Sequence, residues 1–399
     1  MNEPWHTDRW SVSPHNFGDG VAPPAHPVEL HDITLRDGEE CADVAFSVDD
    51  KVRIAEALAL AGLKRTELFL TVPGWREAVR AIMRRNLPLD LYVNWVPGRV
   101  EHALDARVRH IMVWYWIGEH HQKHFYGKSR EQLLDEAAEQ IATTKAAGCH
   151  VNLFMPECSR ASLEQIEQAI RVAEAAGASA VTMVDSFGVM TPSAVRFLVA
   201  KMAGWSSLPV DVHCHNDFGL STANVLAAYE GGAVGLNVCV NLVGYRAGNA
   251  PLDKVAMALE AHFRVDTGID LTRLPELSAL VAEITGIPIA YFKPVTGKGA
   301  FSMERWGGNR VLEDAGNRQL GFAFEPETVG RKPRVLVGKW SDVGAVEKGL
   351  TDLGLSATTD QLQAILDSCQ REGIARHCPL EAHEVAAIAV RLGAQSSGA

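Results

Sequence analysis

The stretch SLEQIEQAIRVAEAAGASAVTMV, residues 162–184, joins a helix pattern directly to a strand pattern. Its first part carries Ala, Glu, Leu and Ile at helical spacing and ends at Gly177, a residue type that readily forms the left-handed cap of a helix. The run that follows, ASAVTMV, is almost wholly apolar, as in a parallel strand that is buried on both faces. Residues 162–184 therefore predict one helix followed by one buried strand.

The same alternation recurs along most of the chain. Eight parallel strands, each followed by a helix, form a (β/α)8 barrel, so the repeat predicts a TIM barrel over residues 27–265. A doubly wound open sheet is the alternative, and it is disfavoured because no glycine-rich phosphate loop follows the first strand. The eight apolar runs read VELHDI, RTELFLTV, LDLYVNWV, VRHIMVWY, CHVNLFM, ASAVTMV, PVDVHCH and GLNVCVNLV.

The remaining residues predict three further segments. Residues 1–26 are rich in Pro, His and Gly and indicate an extended N-terminal arm. Residues 266–310 are rich in Gly, Pro and aromatic side chains and indicate a connecting segment. Residues 311–399 predict a small, α-rich C-terminal subdomain, because DQLQAILDSCQREG and LEAHEVAAIAVRLG have the pattern of amphipathic helices.

Composition narrows the classes of partner. The 399 residues carry 38 basic and 49 acidic side chains, a formal net charge of −11, which argues against nucleic-acid and anionic-membrane partners. The sequence has no apolar window long enough to span a membrane. Its seven cysteines are scattered and form no C-x-x-C pair, which favours reduced thiols and predicts a cytoplasmic protein.

Polar side chains follow the predicted strands at their carboxyl ends. That end of a TIM barrel carries the active site, so these side chains are expected to converge there. The residues concerned are Arg36 and Asp37 after the first strand, Glu157 and Arg160 after the fifth, Asp185 and Ser186 after the sixth, His213 and His215 at the seventh, and Arg246 and Asn249 after the eighth.

The seventh run, VDVHCHND, carries the clearest metal pattern. Strand side chains alternate, so His213 and His215 are expected on one face and Cys214 on the other. Two imidazoles and the carboxylate of Asp37 would form a divalent-metal site with open positions; two hydrogen-bonded structural histidines are the alternative. Arg36 offers a rigid set of donors suited to an enolate or alkoxide, although a plain ion pair would use the same residues.

Three motifs together resemble the DRE-TIM metallolyase family. They read HDITLRDGEE, HCHNDFGLSTAN and GYRAGNAPL, and the similarity extends over roughly residues 28–395. The resemblance implies a (β/α)8 barrel and a divalent cation, which could be Mn²⁺, Mg²⁺, Zn²⁺ or Co²⁺. It implies four metal ligands, namely Asp37, His213, His215 and Asn249.

The resemblance also suggests roles for other residues. A segment beginning FEPETVGRKPRVLVGKWSD is similar to the isopropylmalate and homocitrate synthase branch. That branch carries a His in the connecting segment, where this chain has Asn309, and an amide cannot act as a general base. His120, His121 or His124 could supply a substitute base. We assign Arg36, Glu157 and Tyr245 to catalysis, and Ser186, Arg160, His120, His124 and Glu40 to substrate binding.

The expected activity is a metal-dependent Claisen condensation of an acyl-CoA, with acetyl-CoA as the co-substrate, and a 2-oxoacid to give a 2-alkylmalate or homocitrate-type product. One alternative is an aldolase or lyase that cleaves a 4-hydroxy-2-oxoacid or a 3-hydroxyacyl-CoA through the same enolate. A second is a weakened homologue that only binds an oxoacid. The resemblance further implies a homodimer.

Overall fold

The computed structural model describes residues 3, 5–18, 20, 24–308 and 321–396. The chain forms two compact units, one of residues 14–289 and the other of residues 1–13 together with 290–399. The predicted limits of the arm, the barrel, the connecting segment and the C-terminal subdomain stay predictions about domain organisation.

Residues 14–289 contain a closed parallel barrel, in which each strand pairs with the next in sequence and the first pairs with the last. Leu30 of the first strand lies opposite Leu236 of the eighth, and this pairing closes the barrel. Within the described residues the eight strands are β1 Glu29–Asp32, β2 Arg65–Leu68, β3 Asp90–Asn94, β4 His110–Trp114, β5 His150–Met155, β6 Ala180–Asp185, β7 Val210–Cys214 and β8 Gly235–Val238.

Helices follow the strands around the barrel, and several are preceded by a residue whose side chain caps the helix N-terminus. Ser47, Ser129 and Ser162 each accept a hydrogen bond from the backbone three residues on and form reciprocal capping boxes. The helices of this unit are α1 Val48–Leu60, α2 Trp75–Arg84, α3 Val100–Asp105, α4 Arg130–Ala146, α5 Leu163–Ala176, α6 Pro192–Trp205, α7 Ser221–Glu230, α8 Leu252–Phe263 and α9 Leu274–Thr285.

The predicted fold is confirmed, and the strands are shorter than the apolar runs that predicted them. Every residue of β6 is buried, as expected for a strand covered on both faces. The first strand ends at Asp32, so Arg36 and Asp37 lie on the turn that follows it and not on the strand itself. The helix α9 lies inside the segment that we predicted to be a connection.

The other unit has its own apolar core. It contains two short parallel strands, β9 Ser302–Met303 and β10 Arg334–Val335, and an antiparallel pair, β11 Leu355–Ser356 and β12 Gln395–Ser396. Three helices contribute to the core, α10 Val343–Asp352, α11 Thr359–Ala375 and α12 Ala382–Arg391, and their buried residues include Val346, Ile365, Cys369, Val385 and Ile388. The two helices expected here from the sequence are present, and α10 was not predicted.

No helix in the described parts of the chain combines the length and the apolar character that a bilayer crossing requires.

Candidate active site

Side chains from the carboxyl ends of the barrel strands line one cavity of about 240 Å³. This is the end at which TIM barrels carry their active sites. Its lining combines acidic, basic and histidine side chains with aromatic rings. The lining residues are Arg36, Asp37, Glu40, Trp114, Trp116, His121, Phe154, Pro156, Val184, Ser186, Phe187, His213, His215, Tyr245 and Arg246.

Asp37, His213 and His215 meet in this cavity and are all buried. The Nε2 atoms of the two imidazoles lie 3.2 Å apart. They lie 3.6 Å and 3.8 Å from Oδ2 of Asp37. His213 belongs to β7, and His215 follows its end and bridges to Asn249, so the predicted His-x-His spacing brings both rings to one place.

A hydrogen bond to His213 determines which of its two ring nitrogens carries the hydrogen and which has a free lone pair. Its Nδ1 lies 3.2 Å from Oδ1 of Asn237, and an amide oxygen only accepts, so Nδ1 carries the hydrogen. Nε2 is then unprotonated, as metal ligation requires. Burial lowers the pKa of both histidines, with the nearby imidazole of His215 adding to the effect at His213.

Asp37 is ionised in this environment. Burial alone would raise the pKa of its carboxyl, but the charge of Arg36 holds that pKa well below its usual range, and His213 and His215 lower it further only when they are protonated. The site therefore presents one carboxylate and two neutral imidazoles, a donor set that suits divalent cations.

Asn249 completes the group of predicted ligands. Its Nδ2 donates a hydrogen bond to Oδ1 of Asp37, and its Oδ1 is buried without a hydrogen-bond partner among the described residues. Gly244 permits this approach, since a Cβ there would lie 2.2 Å from Nδ2 of Asn249 and 2.9 Å from Oδ1 of Asp37. A buried carbonyl oxygen that needs a partner, beside the other three donors, fits a cation at this point.

Arg36 is buried among carboxylates and aromatic rings. Nε donates to Glu67 Oε2 at 2.6 Å, and Nη1 donates to Asp37 Oδ2 at 2.8 Å and to Glu40 Oε1 at 3.3 Å. The guanidinium carbon lies 5.2–5.5 Å from three ring centroids, those of Phe69, Trp114 and Phe154. Burial would lower the pKa of Arg36, but the three carboxylates raise it above its usual value.

One donor of Arg36 is uncommitted. Nη2 is buried and has no hydrogen-bond partner in the described parts of the chain. An unmet charged donor on a side chain that lines a cavity is suited to an oxygen that gains negative charge during a reaction. The plain ion-pair alternative for Arg36 does not account for this free donor.

The ion pair with Glu67 was missed from the sequence. Glu67 is a buried acid inside the apolar run RTELFLTV, and such an acid requires a cationic partner, so a signal was present. Burial raises the pKa of Glu67, although Arg36 opposes the change.

Glu40 and Tyr245 lie at the edge of the cavity. Burial raises the pKa of Glu40 to about 7, against the attraction of Arg36 and with the repulsion of Asp37. The backbone nitrogen of Tyr245 donates to Oδ1 of Asp37 at 2.9 Å, while its half-exposed ring lies under the guanidinium of Arg246. Both residues are therefore close enough to the cluster to contact a bound substrate.

Glu157 contacts two residues that line the cavity, Ser186 and His121, and is not itself one of the lining residues. Its backbone nitrogen donates to Oγ of Ser186 at 2.8 Å, and its Oε2 lies 2.7 Å from Nδ1 of His121. Arg160 is more distant, with Nη1 3.6 Å from Oε1 of Glu157, and its exposed guanidinium covers Phe187.

The structure does not bring His120 and His124 into the cavity. Both are exposed, and their rings stack on each other with centroids 5.8 Å apart. They flank His121, which lies on the π-helical turn His121–Tyr126 and is the histidine of this loop that lines the cavity. Their contact with substrate stays a prediction, and Asn309 lies outside the described residues.

Comparison with known proteins places the chain in a family. The family model described as HMGL-like matches residues 27–281, which is the barrel and its last helices. The chain belongs to the HMGL-like family. The resemblance to DRE-TIM metallolyases that the three motifs indicated is thereby confirmed.

Several relatives of this HMGL-like chain are named as synthases. Homocitrate synthase AksA of Methanopyrus kandleri is 35% identical over 85% of this chain and 86% of its own length. A probable 2-isopropylmalate synthase of Ignicoccus hospitalis is 36% identical, over 87% of this chain and 88% of its own. (R)-citramalate synthase CimA of Methanocaldococcus jannaschii is 32% identical, over 87% and 71%.

Two solved structures of lyases share the fold of this chain. The HMG-CoA lyase of Bacillus subtilis has a TM-score of 0.61 at 19% identity and covers 67% of this chain and 96% of its own. The hydroxymethylglutaryl-CoA lyase of Pseudomonas aeruginosa has a TM-score of 0.60 at 20% identity, over 66% and 94%. At this level of identity the likeness supports the architecture and nothing finer.

Proposed function

We propose that the chain is an acyltransferase that condenses acetyl-CoA with a 2-oxoacid to give a 2-alkylmalate or homocitrate-type product. The observation that carries the proposal is the length of its similarity to the named synthases, which covers 85–87% of this chain. That range extends well beyond the barrel and into the residues for which the sequence resembles the synthase branch.

The geometry of the cavity supports this chemistry. Asp37, His213, His215 and Asn249 would hold a divalent cation, with Mn²⁺, Mg²⁺, Zn²⁺ and Co²⁺ as the candidates. When bound there, the cation would supply Lewis-acid polarisation of the keto group of the oxoacid. Arg36 lines the same cavity, and its Nη2, which has no partner among the described residues, would donate to the keto oxygen as that oxygen gains charge.

Other residues would orient the substrates and exclude water. The hydroxyl of Ser186 accepts from the backbone of Glu157, which leaves its own hydrogen for the carboxylate of the oxoacid. Trp114 and Phe154 stack with ring centroids 4.7 Å apart and give the cavity an aromatic wall. Such a wall strengthens the electrostatic contacts made beside it.

Release of free thiol from acetyl-CoA tests the proposal. The purified protein, loaded with each candidate cation, is incubated with acetyl-CoA and a panel of 2-oxoacids that includes pyruvate, 2-oxoisovalerate and 2-oxoglutarate. We expect thiol release that requires both the cation and one oxoacid. Absence of thiol release with every oxoacid, together with pyruvate production from a 4-hydroxy-2-oxoacid, would contradict the proposal and favour cleavage.

The proposal extends to assembly and location, as a homodimer in the cytoplasm. All seven cysteines lie in the described ranges and none forms a disulfide, which supports a reducing compartment. Light scattering of the purified protein would test the dimer.

A further inference from the structure

We infer that His121, held by Glu157, is the base that removes the proton from the methyl group of the acyl thioester. The inference rests on the proposed condensation and names a residue that the reaction requires. The sequence left three histidines of one loop open for this role and assigned none of them.

The orientation of His121 is that of a general base. Nδ1 lies 2.7 Å from Oε2 of Glu157, so Nδ1 donates to the carboxylate and Nε2 is left with its lone pair. Glu157 is buried, whereas the side chain of His121 is 31% exposed and lines the cavity. Its ring stacks on Trp116 at 4.3 Å and 22°, which fixes the plane of the imidazole.

The local backbone is shaped around this pair. Glu157 has a φ of +65°, a left-handed conformation that is unfavourable for a residue with a side chain. A Cβ on Gly118 would lie 1.8 Å from Oε2 of Glu157, so only glycine leaves room for the carboxylate. Strain and close approach at one point indicate that the position of this carboxylate is constrained by function.

A buried side chain anchors the turn that carries His121. Nε2 of Gln122 donates to Oη of Tyr115 at 3.1 Å and to the backbone oxygen of Trp116 at 2.9 Å. These bonds fix the π-helical turn on the end of β4, and π-helical turns recur at functional sites. The ring of His121 is therefore positioned by packing on one side and by Glu157 on the other.

The other acid–base groups of the cavity are already engaged. His213 and His215 face Asp37, and Glu40 accepts from Arg36. Among the cavity-lining residues, His121 is thus the imidazole that lies outside the proposed metal ligands. This supports His121 over its neighbours as the base.

The step balances in atoms and charge. Nε2 of His121 takes a methyl proton of acetyl-CoA, and the electron pair of that C–H bond forms the new C–C bond to the keto carbon of the oxoacid. The keto oxygen takes the resulting negative charge beside Arg36 and then takes a proton from solvent water. Water cleaves the thioester to a carboxylate and free thiol, and the proton on His121 returns to solvent.

Substitution with chemical rescue tests the inference. We expect His121→Ala to lower kcat by a factor of about 10²–10⁴, the usual contribution of a general base, with the KM of the oxoacid and the bound metal little changed. Added imidazole should restore part of kcat, which a merely structural loss would not allow. If the alanine variant does not fold, His121→Gln replaces it in the same comparison without rescue.

Two variants serve as comparisons. Glu157→Gln should lower kcat less than His121→Ala does, because it leaves the base in place and removes its orientation. Lys123→Ala, an exposed residue of the same turn, should behave as the wild type. Full kcat in His121→Ala, or no response to imidazole, overturns the inference while the proposed condensation stands. A wild-type protein that releases no thiol with any oxoacid overturns both.

Discussion

At the scale of single residues, the guanidinium of Arg36 is the most constrained group of the site. It is fully surrounded by protein, yet one of its donors has no partner among the residues described. Three carboxylates hold the other donors, so the direction of the free Nη2 is set before any substrate arrives. Preorganised donors of this kind stabilise developing charge without further reorganisation.

Arg36→Lys should therefore reduce turnover even though the positive charge is kept. A lysine has one ammonium group and cannot bind Glu67 and Asp37 while also presenting a donor to substrate. We expect kcat to fall by a factor of about 10²–10³, as for the loss of one transition-state donor. Steady-state kinetics by thiol release measures the change.

Metal content and thermal unfolding of the same variant serve as its controls. Metal content should stay close to wild type, because the charge that lowers the pKa of Asp37 is retained. Thermal unfolding measures how far the weakened contact with buried Glu67 lowers stability. Wild-type kcat in Arg36→Lys would show that charge alone suffices and that the free donor has no catalytic role.

Site residues that belong to a local sequence motif could be predicted from the sequence. Contacts that depend on how neighbouring strands align could not. Asp37 and His213 stand in recognisable patterns at strand ends, and the structure brings them together. Glu67 of β2 pairs with Arg36 on the turn after β1. The apolar run around Glu67 indicated that this acid needs a cationic partner, but only the alignment of β1 with β2 determines that the partner is Arg36. Of the three histidines in the loop after β4, only His121 lines the cavity, and it does so on a π-helical turn. No periodicity in the sequence predicts that turn.

At the scale of elements, the loop after β8 positions two groups of the cluster. Gly244 packs directly against Asn249 and Asp37, which come from the eighth and first strand ends. Gly244→Ala would place a methyl group 2.2 Å from Nδ2 of Asn249 and push the two side chains apart. We expect metal affinity to fall by a factor of about 10–100, as for other changes beside metal ligands, measured by titration of the metal-free protein.

Gly204→Ala is the matched control for this change. A Cβ at Gly204 meets nothing within 4 Å, and the residue lies near the end of α6. Alanine in a helix is favoured over glycine by about 0.5–1 kcal/mol, so this variant should bind metal normally and be equally or more stable. Equal metal affinity in both variants would contradict the role of Gly244.

The barrel strands could be predicted from the sequence because both of their faces are buried. The strands of a parallel barrel are covered on both faces, and this makes them continuous apolar runs that stand out from the helices. The helix α10 was missed because its sequence, VGAVEKGLTD, contains two glycines and two valines and has low intrinsic helix propensity. Packing of Val346 and Leu350 into the core of its unit compensates for that weakness.

At the scale of the whole molecule, the proposed metal ligands join distant parts of the chain. Asp37 follows β1, His213 and His215 lie at β7, and Asn249 follows β8, so the contact of Asp37 with Asn249 spans 212 residues. In an unfolded chain these groups are far apart and bind a cation weakly. A cation that binds the folded barrel should therefore stabilise it.

Thermal unfolding with and without cation tests this consequence. At a cation concentration about 100 times its Kd, binding adds about 2.7 kcal/mol, which corresponds to a rise in Tm of about 5 °C for a unit of this size. His213→Ala should lose most of that rise, because it removes one ligand and leaves a buried carboxylate with one imidazole fewer. His383→Ala, an exposed residue of α12, should keep the full rise. A rise of the same size in His213→Ala would mean that the stabilising cation binds elsewhere. That result would contradict the proposed metal ligands without contradicting the proposed catalytic residues.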